Sequence, residues 1–313
     1  MGAMALRRLE RRRRGELWWG LGFISPWLVG FLAFTLVPVV SSLYYSFTDY
    51  NLMNPPRWVG AANFSTLFAD PTFYESMKNT VYMVLVGLPV HLLWALVLAF
   101  LLARPLKGIA FFRALYYLPT VVPIVASTLL WRWIFNPNYG ILNTALNFLG
   151  LPEPGWLVDP AWSKPALIIM GMWGVGGTVV IYLAALKEVP RELYEAAELD
   201  GATSWRKTTA ITLPMISPVL FFTVVVNIIG YFQYFTQAYV FSATGYGGQL
   251  AVGGPRNSTM FYALYLYLNA FRFFKMGLAS AMAWILFLIL LVATLVLLRT
   301  SSRWVHYGGA RPI

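Results

Sequence analysis

The chain has 313 residues, of which 59% are hydrophobic and 11% are charged, and its mean hydropathy is +0.64. Because a soluble globular protein carries about 25% charged residues, this composition excludes a soluble enzyme and indicates a polytopic membrane protein. The absence of cysteine excludes disulfides, thiol nucleophiles and thiolate metal sites, and two histidines leave little for a zinc site or a histidine-based triad.

The N-terminal tail, residues 1–16, carries six arginines and precedes 32 uncharged residues from Leu17 to Thr48. A basic run before an apolar one is also typical of a signal peptide, and a basic cluster is also typical of nucleic-acid binding. No small-x-small cleavage motif closes a short apolar region, and the basic residues further along fall in loops between apolar runs. We therefore expect a retained first span at about 18–45 and no nucleic-acid partner.

Five further apolar runs are bracketed by charged residues and predict five more spans. A helix needs about 20 apolar residues to cross the hydrocarbon, and each run allows that length. The predicted bounds are about 80–103, 114–133, 165–186, 215–240 and 276–298. The expected fold is therefore all-α, with one transmembrane domain of six helices over 17–299 and a C-terminal tail over 300–313.

Two further features of this domain are predicted from the sequence. The outer loops 49–78 and 136–164 contain asparagine, proline and tryptophan and are each expected to hold a short surface helix. Four prolines are expected to kink the first three spans. They are Pro38, Pro89, Pro119 and Pro123.

The distribution of lysine and arginine predicts the orientation. The N-terminal tail and the segments 104–113, 187–213 and 299–313 hold six, three, four and three basic residues, which is 16 of the 23. The alternate segments hold seven. Both termini and the segment after the fourth span are therefore expected in the cytoplasm.

Segment 187–214 holds nine charged residues between two predicted spans. Placing one Asp, Lys or Arg at a bilayer centre costs about 2.5–3.5 kcal/mol, so this segment must lie outside the lipid. Its pattern predicts two short helices, with Pro190 in the first turn of the first, a turn at Asp200–Gly201 and Thr203 or Ser204 capping the second. From the pattern alone, an amphipathic hairpin on the membrane surface is an equal alternative.

The same segment resembles the EAA motif of ABC importer permeases. The matching residues are Glu195, Ala196, Ala197, Asp200, Gly201, Ala202, Ile211, Leu213 and Pro214. One position departs from the family, which often has Phe where this chain has Thr208. The resemblance implies that these residues form a coupling element that docks into a cleft on a cytoplasmic ATP-binding subunit.

The resemblance to the sugar-permease branch of that family extends over nearly the whole chain. It includes residues 63–79, Phe111-Phe112-Arg113, Trp131-Arg132-Trp133 and the glycine-proline segment at 253–255. Residues 242–252 look like an insertion relative to the family. The resemblance implies the fold of a type I ABC importer permease in a bacterial or archaeal cytoplasmic (inner) membrane.

The resemblance also implies the partners. They are a second homologous permease in a heterodimer, two ATP-binding subunits and an extracytoplasmic solute-binding protein. ATP and Mg²⁺ would bind to the partner ATPase. The chain itself is expected to hold no cofactor and no metal and to be no enzyme.

Motifs and residues that the sequence lacks indicate what would drive transport. It has no G-x-x-x-x-G-K-[ST] motif, so ATP would be hydrolysed on another chain. All 12 acidic residues lie in tails or loops, and His91 is the ionisable residue well inside a span. Ion-coupled carriers normally place such groups at membrane depth. We expect His91 to be a neutral, hydrogen-bonded packing residue, and a stand-alone secondary transporter or channel is the alternative function.

A solute path is predicted on spans five and four. Thr223, Asn227, Tyr231 and Tyr234 recur on one face of span five, and their hydroxyl, amide and ring groups suit a sugar, although hydrogen-bonded helix packing is the alternative. The resemblance favours the path, because sugar-contacting residues of related permeases lie on these two spans. On span four, Trp173, Gly174 and Gly177 are the candidates, and Gly176 is expected to serve tight packing. Together these residues predict half of a pathway for a sugar, oligosaccharide or polyol.

Overall fold

The computed structural model describes residues 19–242 and 252–306, which are mostly helical. The basic tail at 1–16, residues 243–251 of the proposed insertion, and residues 307–313 of the C-terminal tail lie outside the described residues. The chain divides into two compact units, one formed by residues 1–67 with 269–284 and the other by residues 68–268 with 285–313.

The smaller unit begins with helix α1, Trp19–Ser46, which widens into a π turn at Leu32–Leu36. It is followed by a two-stranded antiparallel ribbon of β1, Thr48–Asp49, and β2, Arg57–Trp58. This ribbon departs from the all-α expectation. Its physical cause is local, because the Asn51 side-chain oxygen accepts a hydrogen bond from the Asn54 N–H at 2.9 Å and turns the chain back.

The smaller unit also contains helix α2, Ala62–Phe68, within the predicted outer loop. The Asn63 amide donates to the carbonyls of Ser46 and Thr48, both at 2.9 Å. These bonds tie α2 to the end of α1 and to the start of the ribbon.

The larger unit is built from helices joined by short turns. The first, α3, Pro71–Tyr82, continues through a π turn at Met83–Gly87 into α4, Leu88–Ala103. The next elements are α5, Ile109–Tyr117, a 3₁₀ turn at Leu118–Val121, α6, Ile124–Ile134, α7, Ile141–Phe148, α8, Pro160–Trp173, and α9, Gly176–Glu188. Helix α7 lies in the second outer loop, so a short helix is present in each loop as predicted.

The second half of the chain continues with α10, Arg191–Leu199, and α11, Ser204–Lys207, which leads through a π turn at Thr208–Thr212 into α12, Leu213–Phe232. After α13, Thr236–Ser242, and a 3₁₀ turn at Pro255–Asn257, α14, Tyr262–Tyr267, runs into a π turn at Leu268–Arg272. The final helix is α15, Met276–Ser301.

Within the described residues, four helical stretches are long and apolar enough to cross a membrane, and there are up to six if each of two bent pairs is one span. The four are Trp19–Ser46, Pro71–Ala103, Ser204–Ser242 and Met276–Ser301. The second begins nine residues before the predicted start at 80. Asp70 caps it by accepting a hydrogen bond from the Thr72 N–H at 2.8 Å, and a capped helix need not end at the hydrocarbon boundary.

The two bent pairs are the predicted spans three and four. Ile109–Val121 and Ile124–Ile134 meet at 102°, and Pro160–Trp173 and Gly176–Glu188 meet at 50°. The spans expected at 114–133 and 165–186 are therefore each broken near the middle. A kink was expected at Pro119 and Pro123 in the first, whereas no break was expected in the second. Pro123 explains the first break, because it has no N–H to donate to the preceding turn.

The core of the larger unit includes a tight contact of α4 with α9. Ala95, Leu98 and Ala99 of α4 are almost completely buried, as are Val179 and Tyr182 of α9. Small side chains allow two membrane helices to approach closely, which favours dispersion contacts between them. This contact fixes α4, one of the helices on which the candidate site is built.

Candidate functional site

The larger unit contains a cavity of about 640 Å³, a volume in the usual range for a small-molecule site. Its walls come from α4, α6, α8, α12 and α13, together with the turns between them. Among the residues that the structure describes, no lysine, arginine, aspartate or glutamate lines it. The polar lining residues are His91, Thr120, Ser127, Trp173, Asn227, Tyr231, Tyr234 and Gln237.

Both helix breaks lie at this cavity. Residues 119–124, which contain the 102° bend, and Gly174, where α8 ends, all line it. Within a bilayer, non-helical backbone is tolerated only where it is buried in protein or faces a water-filled space. The cavity therefore provides a space in which the backbone N–H and C=O groups freed at the two breaks can form hydrogen bonds.

Three of the four residues predicted on span five come together at the cavity. Asn227 and Tyr231 lie on α12, and Tyr234 follows it directly. The Asn227 Nδ2 donates to the Thr223 carbonyl at 2.8 Å, which fixes the amide and leaves Oδ1 without a partner among the described residues. The rings of Tyr231 and Tyr234 lie 6.0 Å apart and are tilted by 34°.

The fourth residue, Thr223, does not reach the cavity. Its hydroxyl is hydrogen-bonded to the Tyr182 hydroxyl at 2.8 Å and to the Leu220 carbonyl at 2.9 Å, and it is 2% exposed. Thr223 shares the helix face of Asn227 but lies about 6 Å further along the axis. At that level the Tyr182 side chain occupies the space beside α12, so the polar face of α12 extends beyond the cavity.

Of the three candidate residues on span four, two lie at the cavity and one does not. Trp173 and Gly174 line the cavity, and the Trp173 ring meets the edge of Trp131 at 6.1 Å. Gly177 does not line it, because the bend at Gly174 ends this wall. At Gly176 an added Cβ would lie 2.4 Å from the Tyr116 carbonyl oxygen, so this glycine serves close packing of α9 on α5, as predicted.

Other cavity residues were not predicted from the sequence. Ser127 and Gln237 carry no pattern that distinguishes them from ordinary packing residues. His91 was expected to be hydrogen-bonded within the packing. Its ring forms a hydrogen bond with the Gly171 backbone, whereas its Nδ1 is buried without a hydrogen-bond partner among the described residues. Its ring meets Tyr231 edge-on with centroids 6.1 Å apart. The sequence feature that could have indicated a role for His91 at the cavity is the presence of a lone histidine inside a predicted span.

Segment 187–214 forms the predicted helix, turn and helix. The first helix begins at Arg191, one residue after Pro190. At its end the Gly201 N–H donates to the Glu198 carbonyl at 3.0 Å and the Ala202 N–H to the Ala197 carbonyl at 2.8 Å. This double pattern is the Schellman motif, and it requires the left-handed conformation that Gly201 adopts, with φ of 74°.

The second short helix is capped by Thr203, whose hydroxyl accepts from the Arg206 N–H at 3.3 Å. Lys207 joins the two helices through a 2.7 Å contact with Glu198. The Lys207 ammonium lowers the pKa of Glu198 by hydrogen bonding and by its charge. Because the pKa is lowered on folding, this stabilisation is present at neutral pH and is lost as the pH falls through the lowered value.

The predicted coupling residues lie in two environments. Glu195, Ala196, Asp200 and Gly201 are exposed, and Ala197 and Ala202 are half-buried. Leu199 and Trp205 are 92% and 77% exposed, a feature that the sequence pattern did not single out. In contrast, Ile211 and Leu213 pack against the cluster of Ala185, Val189 and Ile216, and Pro214 is half-buried beside them at the start of α12.

This arrangement presents an exposed surface with both charged and large apolar side chains. Large exposed apolar groups on one segment are typical of a protein interaction site. On the opposite, buried side of the segment, Ile211 and Leu213 pack against the membrane helices. Among the described residues, no group of three or more His, Cys, Asp or Glu side chains is placed to hold a metal ion.

Comparison with known proteins identifies relatives along almost the full chain. A probable ABC transporter permease, YesP of Bacillus subtilis strain 168, is 40% identical over 98% of this chain and 97% of its own length. The lactose transport system permease LacF of Rhizobium radiobacter is 35% identical over 88% of this chain and 91% of its own length.

A solved structure of an ABC transporter is also similar to this chain. A chain of the bacterial alginate ABC transporter, crystallised in complex with an alginate pentasaccharide-bound periplasmic protein, matches with a TM-score of 0.74 and 25% identity over 93% of this chain and 96% of that chain. The fold is therefore that of an ABC importer permease. The family model described as binding-protein-dependent transport system inner membrane component matches residues 79–306, and this multi-pass membrane chain belongs to that family.

Proposed function

We propose that this chain is the permease subunit of an ATP-driven importer and forms half of the translocation pathway for a sugar or oligosaccharide. The observation that carries the proposal is the uncharged cavity lined by Asn227, Tyr231, Tyr234 and Trp173. Amide and hydroxyl groups can bind the hydroxyls of a saccharide, while aromatic faces cover its apolar C–H surface. The similarity to permeases of lactose and alginate transporters supports the same solute class.

ATP is bound and hydrolysed, with Mg²⁺, on a separate subunit in this proposal. The chain has no phosphate-binding loop motif, and segment 187–214 supplies an exposed docking surface. Two copies of the ATPase dock beneath this chain and a second, homologous permease. Exposed Leu199 and Trp205 fit an apolar cleft, and exposed Glu195 pairs with a basic residue of that cleft.

The placement in the cell follows from the charge distribution. With both termini and segment 187–214 in the cytoplasm, the richer set of basic residues is inside. A solute-binding protein then delivers the solute to the outer loops of the transporter in the cytoplasmic membrane. Closure of the ATPase pair moves both docking segments, and the attached helices open the pathway outward and close it inward.

Purification of the tagged chain from its native membrane in mild detergent tests this proposal. We expect a P-loop ATPase and a second permease to co-purify, and ATP hydrolysis to require the ATPase. A chain that purifies alone and moves solute in ATP-free liposomes under an ion gradient would contradict the proposal and favour a secondary transporter.

The substitution Glu195→Lys tests the docking surface. Reversing an exposed charge at the proposed interface is expected to lower ATPase co-purification and solute uptake at least tenfold, since like charges at an interface cost several kcal/mol. Glu153→Lys, on the outer loop, is the matched control for ATPase co-purification. Unchanged co-purification and uptake in Glu195→Lys would show that this residue is not part of the ATPase interface.

A further inference from the structure

His91 is a polar group at the cavity whose hydrogen bonding is incomplete. It lies on α4, eight residues beyond Met83, and both residues line the cavity. Its ring interacts with the backbone of Gly171 on α8 and meets Tyr231 of α12 edge-on at 6.1 Å. Three helices thus surround the imidazole.

The Nδ1 atom is buried and has no hydrogen-bond partner among the described residues. Leaving a buried polar atom unpaired is unfavourable, so native structures retain few such atoms without a reason. Packing alone does not explain it, because a leucine or methionine would fill the same space without that cost. His91 also lines the cavity, so a rotation of its ring would turn Nδ1 towards a ligand bound there, which can supply the missing partner.

We propose that His91 is a solute-contacting residue that determines specificity, and that its Nδ1 forms a hydrogen bond with a hydroxyl of an uncharged saccharide seated against the Tyr231 ring. The inference rests on the proposed function and adds a residue to it. The saccharide is uncharged because, within 19–242 and 252–306, no lysine, arginine, aspartate or glutamate lines this cavity. A solute carboxylate placed there would lose its hydration without gaining a fixed cation from this chain.

Accessibility of position 91 is the first test, and the chain suits it because it has no native cysteine. His91→Cys, Ser127→Cys and Thr223→Cys are each made in the complete transporter and treated with a glucosyl methanethiosulfonate and with the anionic sulfonatoethyl reagent. We expect the glucosyl reagent to label positions 91 and 127 at least tenfold faster than position 223. At position 91 it should also label faster than the anionic reagent.

Two results of the labelling would overturn the inference. Labelling of His91→Cys as slow as that of Thr223→Cys would mean that the side chain does not reach the cavity. Equal rates for the glucosyl and anionic reagents at position 91 would remove the argument for an uncharged saccharide.

Uptake is the second test and uses the complete transporter in proteoliposomes with ¹⁴C-labelled lactose, maltose and cellobiose. For the saccharide that the wild type transports, His91→Phe is expected to lower uptake about tenfold, because one hydrogen bond contributes up to about 1.5 kcal/mol. His91→Gln keeps a hydrogen-bonding group and is expected to restore part of the uptake or to change the preference among the three sugars.

Uptake by two variants distinguishes an error in the role of His91 from an error in the proposed function. Wild-type uptake and preference in His91→Phe, with Asn227→Leu impaired, would overturn the role of His91 and leave the proposed function intact. Wild-type uptake in both variants would reject this cavity as the solute site. If the wild type moves none of the three sugars, the labelling rates decide the inference.

Discussion

At the residue scale, Asn227 illustrates how the helix presents a polar group to the cavity. Its Nδ2 is held by the Thr223 carbonyl at 2.8 Å, so the side chain is fixed without using Oδ1. A fixed acceptor loses little rotamer freedom when it binds a solute hydroxyl. This residue is therefore a better solute contact than a flexible surface amide.

Asn227→Leu tests that role. Loss of one solute hydrogen bond, worth about 0.5–1.5 kcal/mol, is expected to lower kcat/KM for solute uptake by about twofold to tenfold, while the ATPase still co-purifies. Uptake in proteoliposomes measures the effect. The neighbouring Val226→Leu is the control, because Val226 is half exposed and does not line the cavity. Equal effects of the two substitutions would contradict a specific role for the amide.

At the scale of elements, the turn between α10 and α11 depends on one backbone conformation. Gly201 adopts φ of 74° to complete the Schellman motif, and a residue with a side chain pays roughly 1–2 kcal/mol for left-handed geometry. The turn therefore sets the angle at which the exposed residues on both sides are presented.

Gly201→Val is expected to destabilise the turn and lower ATPase co-purification, because a β-branched residue is poorly tolerated at this φ. Gly201→Asn is the matched variant, since asparagine enters the left-handed region more readily. The amount of ATPase bound per chain is the measurement. Retention of full ATPase binding in Gly201→Val would mean that the turn geometry is not needed for docking.

Helix widening before proline is a second feature at this scale. In three helices a π turn ends two residues before a proline: Leu32–Leu36 before Pro38, Met83–Gly87 before Pro89 and Thr208–Thr212 before Pro214. A proline inside a helix lacks the N–H and its ring clashes with the carbonyl four residues earlier. The wider turn relieves that clash, so a π turn precedes two of the prolines at which a kink was expected, Pro38 and Pro89, whereas the kink expected at Pro123 is the 102° break.

Pro214→Ala is expected to allow a regular α-helical turn there, which would rotate α11 relative to α12 by about 100°. Uptake should fall while the thermal unfolding temperature is maintained or raised. Solute uptake and thermal unfolding of the same preparation are the measurements. Pro218→Ala is the control, because Pro218 lies inside α12 with no π turn directly before it. Normal uptake in Pro214→Ala would contradict a role for the widened turn in coupling.

At the scale of the whole molecule, the larger unit is tied together by side chains far apart in the sequence. Lys164 donates to the Asn79 Oδ1 at 3.1 Å and to the Ser258 carbonyl at 3.2 Å. The Asn79 Nδ2 donates to the carbonyls of Asn257 and Met260. These bonds hold residues 257–260, where Asn257 adopts a positive φ of 58°, against α3 and α8.

Lys164→Met removes this charged donor while keeping most of the side-chain length. Hydrogen bonds to charged groups contribute about 1.5–3 kcal/mol, so we expect the free energy of unfolding to fall by about 1–3 kcal/mol. Thermal unfolding in detergent is the measurement. Lys78→Met is the control, because Lys78 is exposed and has no hydrogen bond among the described residues. An equal loss in both variants would argue against the tether.

Much of this protein could be predicted from its sequence because the relevant signals are local. Hydropathy located the six apolar stretches, and glycine, proline and capping residues located the two short helices of segment 187–214. Pro123 likewise indicated the bend of span three. The signals failed where packing decided the outcome, as at span four, which is broken at Gly174. Apolar composition is the same for a straight helix and a broken one.

The sequence by itself determined the membrane class, the segment outside the lipid and the helix face that carries Asn227 and Tyr231. Only the tertiary structure decided which residues meet at the cavity. It placed His91 there and placed Thr223 against Tyr182 instead. The physical reason is that periodicity fixes directions within one helix, whereas a cavity depends on how several helices are rotated, bent and displaced along their axes relative to one another.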